Sequence, residues 1–345
     1  MFEVRIAGTA EEKEAVFRFR HAIYVEEMGR YRQVATDGRL ADPEDQWSWI
    51  AYALDGERIV GTLRMTWGGA GFSDRQVAQY NLRPFLDELA HDVLAVGERT
   101  MFSPAYRGAD LLERLALVID PLLDAHGVKV VFGACEPHLI SYYCRFQRPY
   151  GSRNINSAEA GYLIPLVSFR PDAESLGDRQ HLPRCIQDAL AGGGTVRSPL
   201  ISDPAAYRTE LQDALAAVAA PVFDGLAPDE LERCTARSNI ITCAESDRVL
   251  KKGGVARNVF VVLSGALEVS ADEHPIAVLL PGDVFGETAY LLEGTRTFDV
   301  DVLSDDTRIL SLSESSLRKL TANDSTLAAK LLGNLSKILC RRLAC

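Results

Sequence analysis

No run of apolar residues in the chain approaches the roughly 20 needed to cross a bilayer as a helix. The opening MFEVRIAGTAEEKEAVFRFR mixes acids and bases and lacks the apolar centre of a secretory signal. A cytoplasmic protein with no membrane span is therefore expected. A basic surplus is missing too. The 37 Lys and Arg face 48 Asp and Glu, a formal net charge of −11, which argues against nucleic acid and anionic membrane surfaces as partners. The 7 cysteines include no Cys-x-x-Cys and follow no regular spacing, so reduced thiols are expected and a disulfide framework is not. The 6 histidines do not pair with cysteine or acids at ligand spacing, and no metal is expected. Internal repeats and long low-complexity tracts are absent.

What is present is ordinary globular composition, 47% hydrophobic and 25% charged, over 345 residues. That length suits two domains. The composition shifts between about 170 and 220, where RPDAESLGDRQHLPRC and LAGGGTVRSPLISDP precede the helical pattern YRTELQDALAAVAA. Before the shift, helices alternate with strands. WIAYALDGERIVGTLRM reads as a hairpin around Asp55-Gly56, GADLLERLALVIDPLLDAHG as an amphipathic helix ending at Gly127, and VKVVFGACEP as a buried strand. An α/β layer fold is expected there. After the shift, short strands with turn residues at close intervals suggest a small barrel or jelly roll with flanking helices.

The stretch PGDVFGETAYLLEGTRTFDV, residues 281–300, places a glutamate at a helix opening and an arginine nine residues later. Backbone N–H groups at such an opening favour an anion, and Arg296 supplies a charged fork for a phosphate. Glu287 would repel a bare anion, so it suits a ligand carrying both a phosphate and a hydroxyl, such as a ribose phosphate. A plain Glu287–Arg296 ion pair is the alternative. These residues, with GGVARNVFVVLSGALEV at 253–269, resemble a cyclic-nucleotide-binding domain covering 221–345. The resemblance implies cAMP or cGMP as effector. Glu287 would take the ribose 2′-hydroxyl and Arg296 the cyclic phosphate, helped by backbone N–H groups near Gly286, Glu287 and Thr288, with Thr297 following. No helix-turn-helix is read after the last helix, so a DNA-binding regulator is not expected.

In the first half, SPAYRGADLLERLAL at 103–117 sets Arg107-Gly108 at the mouth of a helix straight after a strand, a phosphate-cradle geometry. The order strand, Arg-Gly helix, VVFGACEP strand and HLISYYCRF resembles the GNAT acyltransferases over residues 1–172. Their acyl-homoserine-lactone synthase and N-acyl amino acid synthase branch shares Arg20, Asp42-x-x-Asp45, Arg64, and Glu98 with Thr100 and Phe102. By this resemblance Phe102, Ser103, Arg107 and Gly108 hold the acyl donor. Arg20, Asp42, Asp45 and Arg64 meet the acceptor, with Asp37 also in reach of an ammonium group. Asp110 and Leu112 stand where ordinary acetyltransferases have glycines, a change the synthase branch accommodates by using acyl-carrier-protein thioesters. Attack by an amine needs a base, and Glu98, half-buried with a raised pKa, is the candidate. Backbone N–H groups around Phe102-Ser103 would hold the oxyanion. Tyr143 matches the thiol-protonating tyrosine, with Tyr142 as its neighbouring alternative. Cys144 as a nucleophile and His138 as a base are weaker readings.

The expectation is a GNAT-type N-acyltransferase domain at 1–172, an extension and linker helix at 173–220, and a jelly-roll nucleotide domain at 221–345. It needs no bound cofactor. It moves an acyl group from acyl-ACP or acyl-CoA to an amine resembling an amino acid, under nucleotide control. Two rivals remain: a nucleotide-gated protein-lysine acetyltransferase, and a non-enzymatic sensor with a degenerate acyltransferase half. The stripe Leu327, Leu331, Leu335 and Leu339 fits a homodimer contact and core packing equally.

Overall fold

The computed structural model describes residues 2–107, 110–157, 159, 161–170, 182–192 and 194–344. Strand β1 (Glu3–Ile6) leads through helix α1 (Ala10–Arg20) to the hairpin β2 (Trp49–Asp55) and β3 (Arg58–Trp67). Short helices α2 (Asp74–Gln79) and α3 (Arg83–Glu88) precede β4 (Leu94–Phe102), α4 (Leu111–Ala125) and β5 (Val130–Cys135). Then come α5 (Ile140–Tyr143), β6 (Arg148–Pro149), β7 (Ile155–Ser157), β8 (Gly161–Phe169) and α6 (Arg184–Gly192). The chain continues through β9 (Val196–Arg197), α7 (Pro204–Ala216), α8 (Pro228–Thr235), β10 (Asn239–Cys243), β11 (Arg248–Leu250), β12 (Val259–Ser264), β13 (Leu267–Ala271), β14 (His274–Leu279) and β15 (Val284–Phe285). It closes with α9 (Glu287–Leu292), β16 (Asp299–Val302), β17 (Thr307–Leu312), α10 (Glu314–Asn323) and α11 (Ser325–Leu343).

The chain folds into two compact units, Met1–Ala134 with Pro165–Gly192, and Cys135–Ile164 with Gly193–Cys345. In the first, β1 to β5 lie side by side in sequence order, antiparallel up to β4 and parallel between β4 and β5. Alternation along β2 explains the layering. Ala51 and Ala53 face Leu111, Leu115, Ile119 and Leu123 of α4. Ile50, Tyr52 and Leu54 face Val16 and Phe17 of α1. The hairpin closes as read: Asp55 pairs with Arg58 and Gly56 turns at φ +62°. Thr9 and Glu12 cap α1 reciprocally.

Residues from Gly193 onward form two antiparallel sheets, a five-stranded one in the order β15-β12-β17-β10-β9 and a four-stranded one in the order β11-β16-β13-β14. Tyr207 and Leu211 of α7, and Leu327, Leu331 and Leu335 of α11, are buried in one cluster with Val259, Val261 and Leu310 of the sheet. Three of the four leucines in the stripe, Leu327, Leu331 and Leu335, are therefore core. A homodimer cannot use those same buried side chains.

Residues 135–164 follow β5 in sequence yet pack in the second unit. There Asn154 donates to the Thr242 carbonyl at 3.0 Å, Asn156 to the Ser246 carbonyl at 3.1 Å, and Tyr162 to Asp247 at 3.2 Å. The stretch read as a linker helix is core as well: β9 pairs with β10, and α7 supplies buried side chains. By contrast α6 stays with the first unit, where the Cys185 N–H donates to Glu88 at 3.1 Å.

Candidate functional site

The first unit gathers Arg20, Asp42, Asp45, Arg64 and Glu98 into one buried network, in keeping with their grouping in the sequence. Arg20 grips both oxygens of Asp45 at 2.9 Å. Arg64 reaches Asp42 at 2.7 Å, Asp45 at 3.3 Å and Glu98 at 2.7 Å. Four further residues join them. Arg75 holds Glu98 at 2.8 Å and 3.0 Å and Glu44 at 3.0 Å. Gln76 donates to Glu98 at 2.8 Å, and Arg99 forks onto Asp42 at 2.6 Å through two nitrogens. Four guanidinium groups thus meet four carboxylates.

This geometry corrects two expectations. Arg20 and Arg64 have no exposed surface, and Asp45 retains 3%. Arg20 pairs with Asp45, and Arg64 with Asp42, Asp45 and Glu98, so in this structure these side chains brace one another and are closed to solvent. Glu98 is not a base in waiting. Burial alone would raise its carboxyl, but Arg64 and Arg75 outweigh burial and pull it from 4.5 down to about 2. Asp42 is driven lower still, its burial overcome by Arg99 and Arg64.

The network fastens four pieces of chain around β4: α1, the segment carrying Asp42, Glu44 and Asp45, β3 and α2. Glu98 lies opposite Arg64 and Met101 opposite Thr62, so Arg99 and Thr100 together face Leu63 alone. This is a bulge, and Arg99 takes φ +54° there. Its guanidinium sits 4.1 Å over Tyr31 and 5.5 Å over Tyr24, the latter in a π-helical continuation of α1 over His21–Glu27. β4 pairs with β5 along Leu94–Val96 and Val130–Phe132, so among the described residues the parallel pairing stops short of the bulge.

The expected donor residues cluster at the far end of β4. The Ser103 N–H donates to the Val60 carbonyl at 2.9 Å, so it is committed to the sheet and cannot face an oxyanion. Phe102 lies opposite Gly61, where an added Cβ would stand 2.7 Å from its ring. Arg107 precedes α4 by several residues and turns back to Glu27 at 2.7 Å and the Phe102 carbonyl at 3.2 Å. Gly108 lies outside the described residues. Tyr143 ends the single turn of α5, edge-on to Tyr142 at 5.6 Å, in the second unit. Burial pushes the Cys144 thiol up to about 11, which removes it as a thiolate nucleophile near neutral pH.

In the second unit, Arg296 is 4% exposed and its main chain is pinned by two hydrogen bonds, Gly253 N–H to Arg296 C=O and Arg296 N–H to Gly254 C=O, both 2.8 Å. Its Nη1 donates to the Gly286 carbonyl at 2.7 Å and its Nη2 to the Asn258 carbonyl at 2.9 Å. Nε is buried with no hydrogen-bond partner. Burial lowers the guanidinium to about 10 against the pull of Glu287, Glu136 and Glu314. Gly286 is obligatory: φ is +80°, and a Cβ would stand 2.6 Å from Arg296 Nη1 and 2.7 Å from the Asn258 carbonyl. Glu287 opens α9 and is 4% exposed, but its partner is Arg342 at 2.6 Å, not Arg296. Thr288 is half-buried in the first turn of α9, and Thr297 is exposed.

Glu44, Arg75, Gln76, Arg99, Asn258 and Arg342 were not read from the sequence as site residues. Arg99 had a visible signal, its place beside Glu98, but strict alternation turns neighbours to opposite faces. Only the bulge lets both enter one network.

Residues 19–117 match the family model for the acetyltransferase (GNAT) domain, and residues 241–324 that for the cyclic nucleotide-binding domain. The chain is 28% identical over 128 residues to the cyclic AMP receptor protein of Thermus thermophilus, a match spanning 36% of this chain and 57% of that relative's length. The structure of the Thermus thermophilus catabolite activator protein aligns at TM-score 0.32 and 25% identity, over 36% of this chain and 59% of the other. A CoA-dependent acyl-homoserine lactone synthase, BjaI, aligns at TM-score 0.41 and 18% identity, over 54% and 92%. The first unit has the mixed α/β GNAT-type fold and the second the antiparallel jelly roll of cyclic nucleotide-binding domains. No helix among the described residues is long and apolar enough to cross a membrane.

Proposed function

We propose that this chain, which joins a GNAT-type acyltransferase domain to a cyclic nucleotide-binding domain, is an N-acyltransferase whose activity a cyclic nucleotide controls. The first unit moves an acyl group from acyl-CoA or an acyl-ACP thioester to a small amine acceptor, and cAMP or cGMP binds the second. The observation that carries the acyltransferase reading is the bulge at Arg99–Thr100, braced by four arginines on a strand that pairs with β5 along Leu94–Val96. A bulge takes backbone groups out of the ladder, and such groups at Arg99–Thr100 are better placed for an oxyanion than the committed Ser103 N–H.

Chemically, the amine attacks the thioester carbonyl, the oxygen takes the charge, and the C–S bond breaks. The amine proton leaves, and the thiolate gains one. Glu98 is excluded as the base by its arginine partners, so the acceptor enters as free amine or loses its proton to water. For the nucleotide, the support is Arg296, a buried cation held beside Glu287 with Nε unpartnered.

Thiol release from acyl-CoA and acyl-ACP donors, with amino acids and lysine peptides as acceptors, with and without each nucleotide, tests the reading. Thioester consumption that depends on a small amine and responds to nucleotide supports it. Turnover only with acetyl-CoA and lysine peptides would favour the protein-lysine acetyltransferase instead, a reading the acetyltransferase family match also fits. Absence of turnover with every donor would leave a sensor with an inactive first domain. Arg296→Ala should abolish nucleotide binding in calorimetry; undiminished binding would place the site elsewhere.

A further inference from the structure

Arg342 lies in the last turn of α11, far in sequence from the nucleotide cassette, yet its guanidinium sits on Glu287. Nη1 donates to Glu287 Oε1 at 2.6 Å, and Nη2 donates to the Val284 carbonyl. The two arms bridge the end of β15 and the start of α9. The pair is unequal: the Glu287 side chain is 5% exposed and that of Arg342 37%. The carboxylate is fixed within the fold, whereas the arginine reaches it from solvent.

The helix that carries Arg342 is anchored unevenly. Its first turns are capped by Asp324, which accepts from Leu327 N–H at 2.9 Å. Leu327, Leu331 and Leu335 are buried in the core, and Asn334 donates to the carbonyls of Val222 at 3.1 Å and Asp224 at 2.8 Å. Past Ile338 the support thins. Cys340, Arg341, Arg342 and Leu343 are all exposed, Leu343 to 87%. Among the described residues, the side-chain hydrogen bonds that tie this last turn to the β-roll are the two made by Arg342.

We propose that Arg342 is an intramolecular competitor for Glu287, occupying the carboxylate that a nucleotide's ribose hydroxyl needs, so that ligand binding releases the last turn of α11. This rests on the nucleotide reading of the second unit. A ribose hydroxyl donates a neutral hydrogen bond, whereas Arg342 donates a charge-assisted one, which is the stronger of the two. The nucleotide prevails by adding its phosphate contact to Arg296, a contact that Arg342 cannot replace. The carboxylate is thereby kept neutralised while the site is empty of ligand, and the end of the helix reports its occupancy.

Calorimetry on the full chain with cAMP and with cGMP, for wild type, Arg342→Ala, Arg342→Lys and Arg296→Ala, tests this. Truncating Arg342 should tighten binding about fivefold or more, the range expected for removing a charged hydrogen bond that is open to solvent on one side. Lysine should fall between alanine and wild type. Equal affinity of Arg342→Ala and wild type within about twofold overturns the proposal, as does weaker binding, which would make Arg342 a ligand contact. Those outcomes leave the nucleotide reading standing. If neither nucleotide binds wild type or Arg342→Ala, that reading falls and the competitor with it.

Discussion

Replacing Glu98 by glutamine separates a structural carboxylate from a catalytic one. In the structure this side chain accepts from Arg64, Arg75 and Gln76. Glutamine keeps the shape but removes the charge, leaving Arg64 with Asp42 and Asp45 and Arg75 with Glu44, each one carboxylate fewer. The carboxyl falls from 4.5 to about 2 on folding, and at about 1.4 kcal/mol per unit that is about 3 kcal/mol of stabilisation. Because Glu98 is 8% exposed, solvent screening takes little from it. Its folded pKa is depressed, so the contribution is complete above about pH 4.5 and disappears as pH falls towards 2. All three tryptophans, Trp47, Trp49 and Trp67, belong to the first unit, so tryptophan fluorescence reports its unfolding apart from the second. In urea at pH 7 the Glu98→Gln midpoint should fall by about 1–2 M for an ordinary slope. The gap from wild type should narrow as pH falls from about 4.5 towards 2, because the unfolded chain takes up the Glu98 proton first and the folded one only near 2. Turnover per folded molecule should persist, with no loss of a basic limb near neutrality. An unchanged midpoint with abolished turnover would refute this reasoning and restore Glu98 as the base.

Gly286→Ala should abolish nucleotide binding and destabilise the second unit by about 2 kcal/mol, because the added methyl meets Arg296 and the Asn258 carbonyl at a left-handed φ; calorimetry and thermal melts would read both effects, and wild-type binding by the variant would contradict the close approach. Thiol labelling near pH 8 followed by peptide mapping should modify exposed Cys340 quickly and spare Cys144, whose burial holds it protonated; rapid Cys144 labelling would reopen it as a nucleophile.

The sequence alone determined both folds, because the deciding signals are local. The apolar runs on either side of Asp55-Gly56, the four-residue apolar spacing of Leu111, Leu115, Ile119 and Leu123, and the Gly-Glu to Arg spacing of 286–296 are each written within about a dozen neighbours. The resemblance to the synthase branch also brought Arg20, Asp42, Asp45, Arg64 and Glu98 together. The roles of that group were decided in three dimensions. A carboxylate's pKa depends on how many cations converge on it, and Arg75 approaches Glu98 from a separate helix. The β4 bulge breaks the alternation on which Arg99 would have been assigned to the opposite face. Module edges were equally out of reach. Residues 135–164 follow the acyltransferase strand in the chain, but their hydrogen bonds join the nucleotide unit. The partner of Glu287 lies 55 residues away on the final helix. Composition and spacing cannot report such meetings, because long-range contacts depend on how finished elements pack.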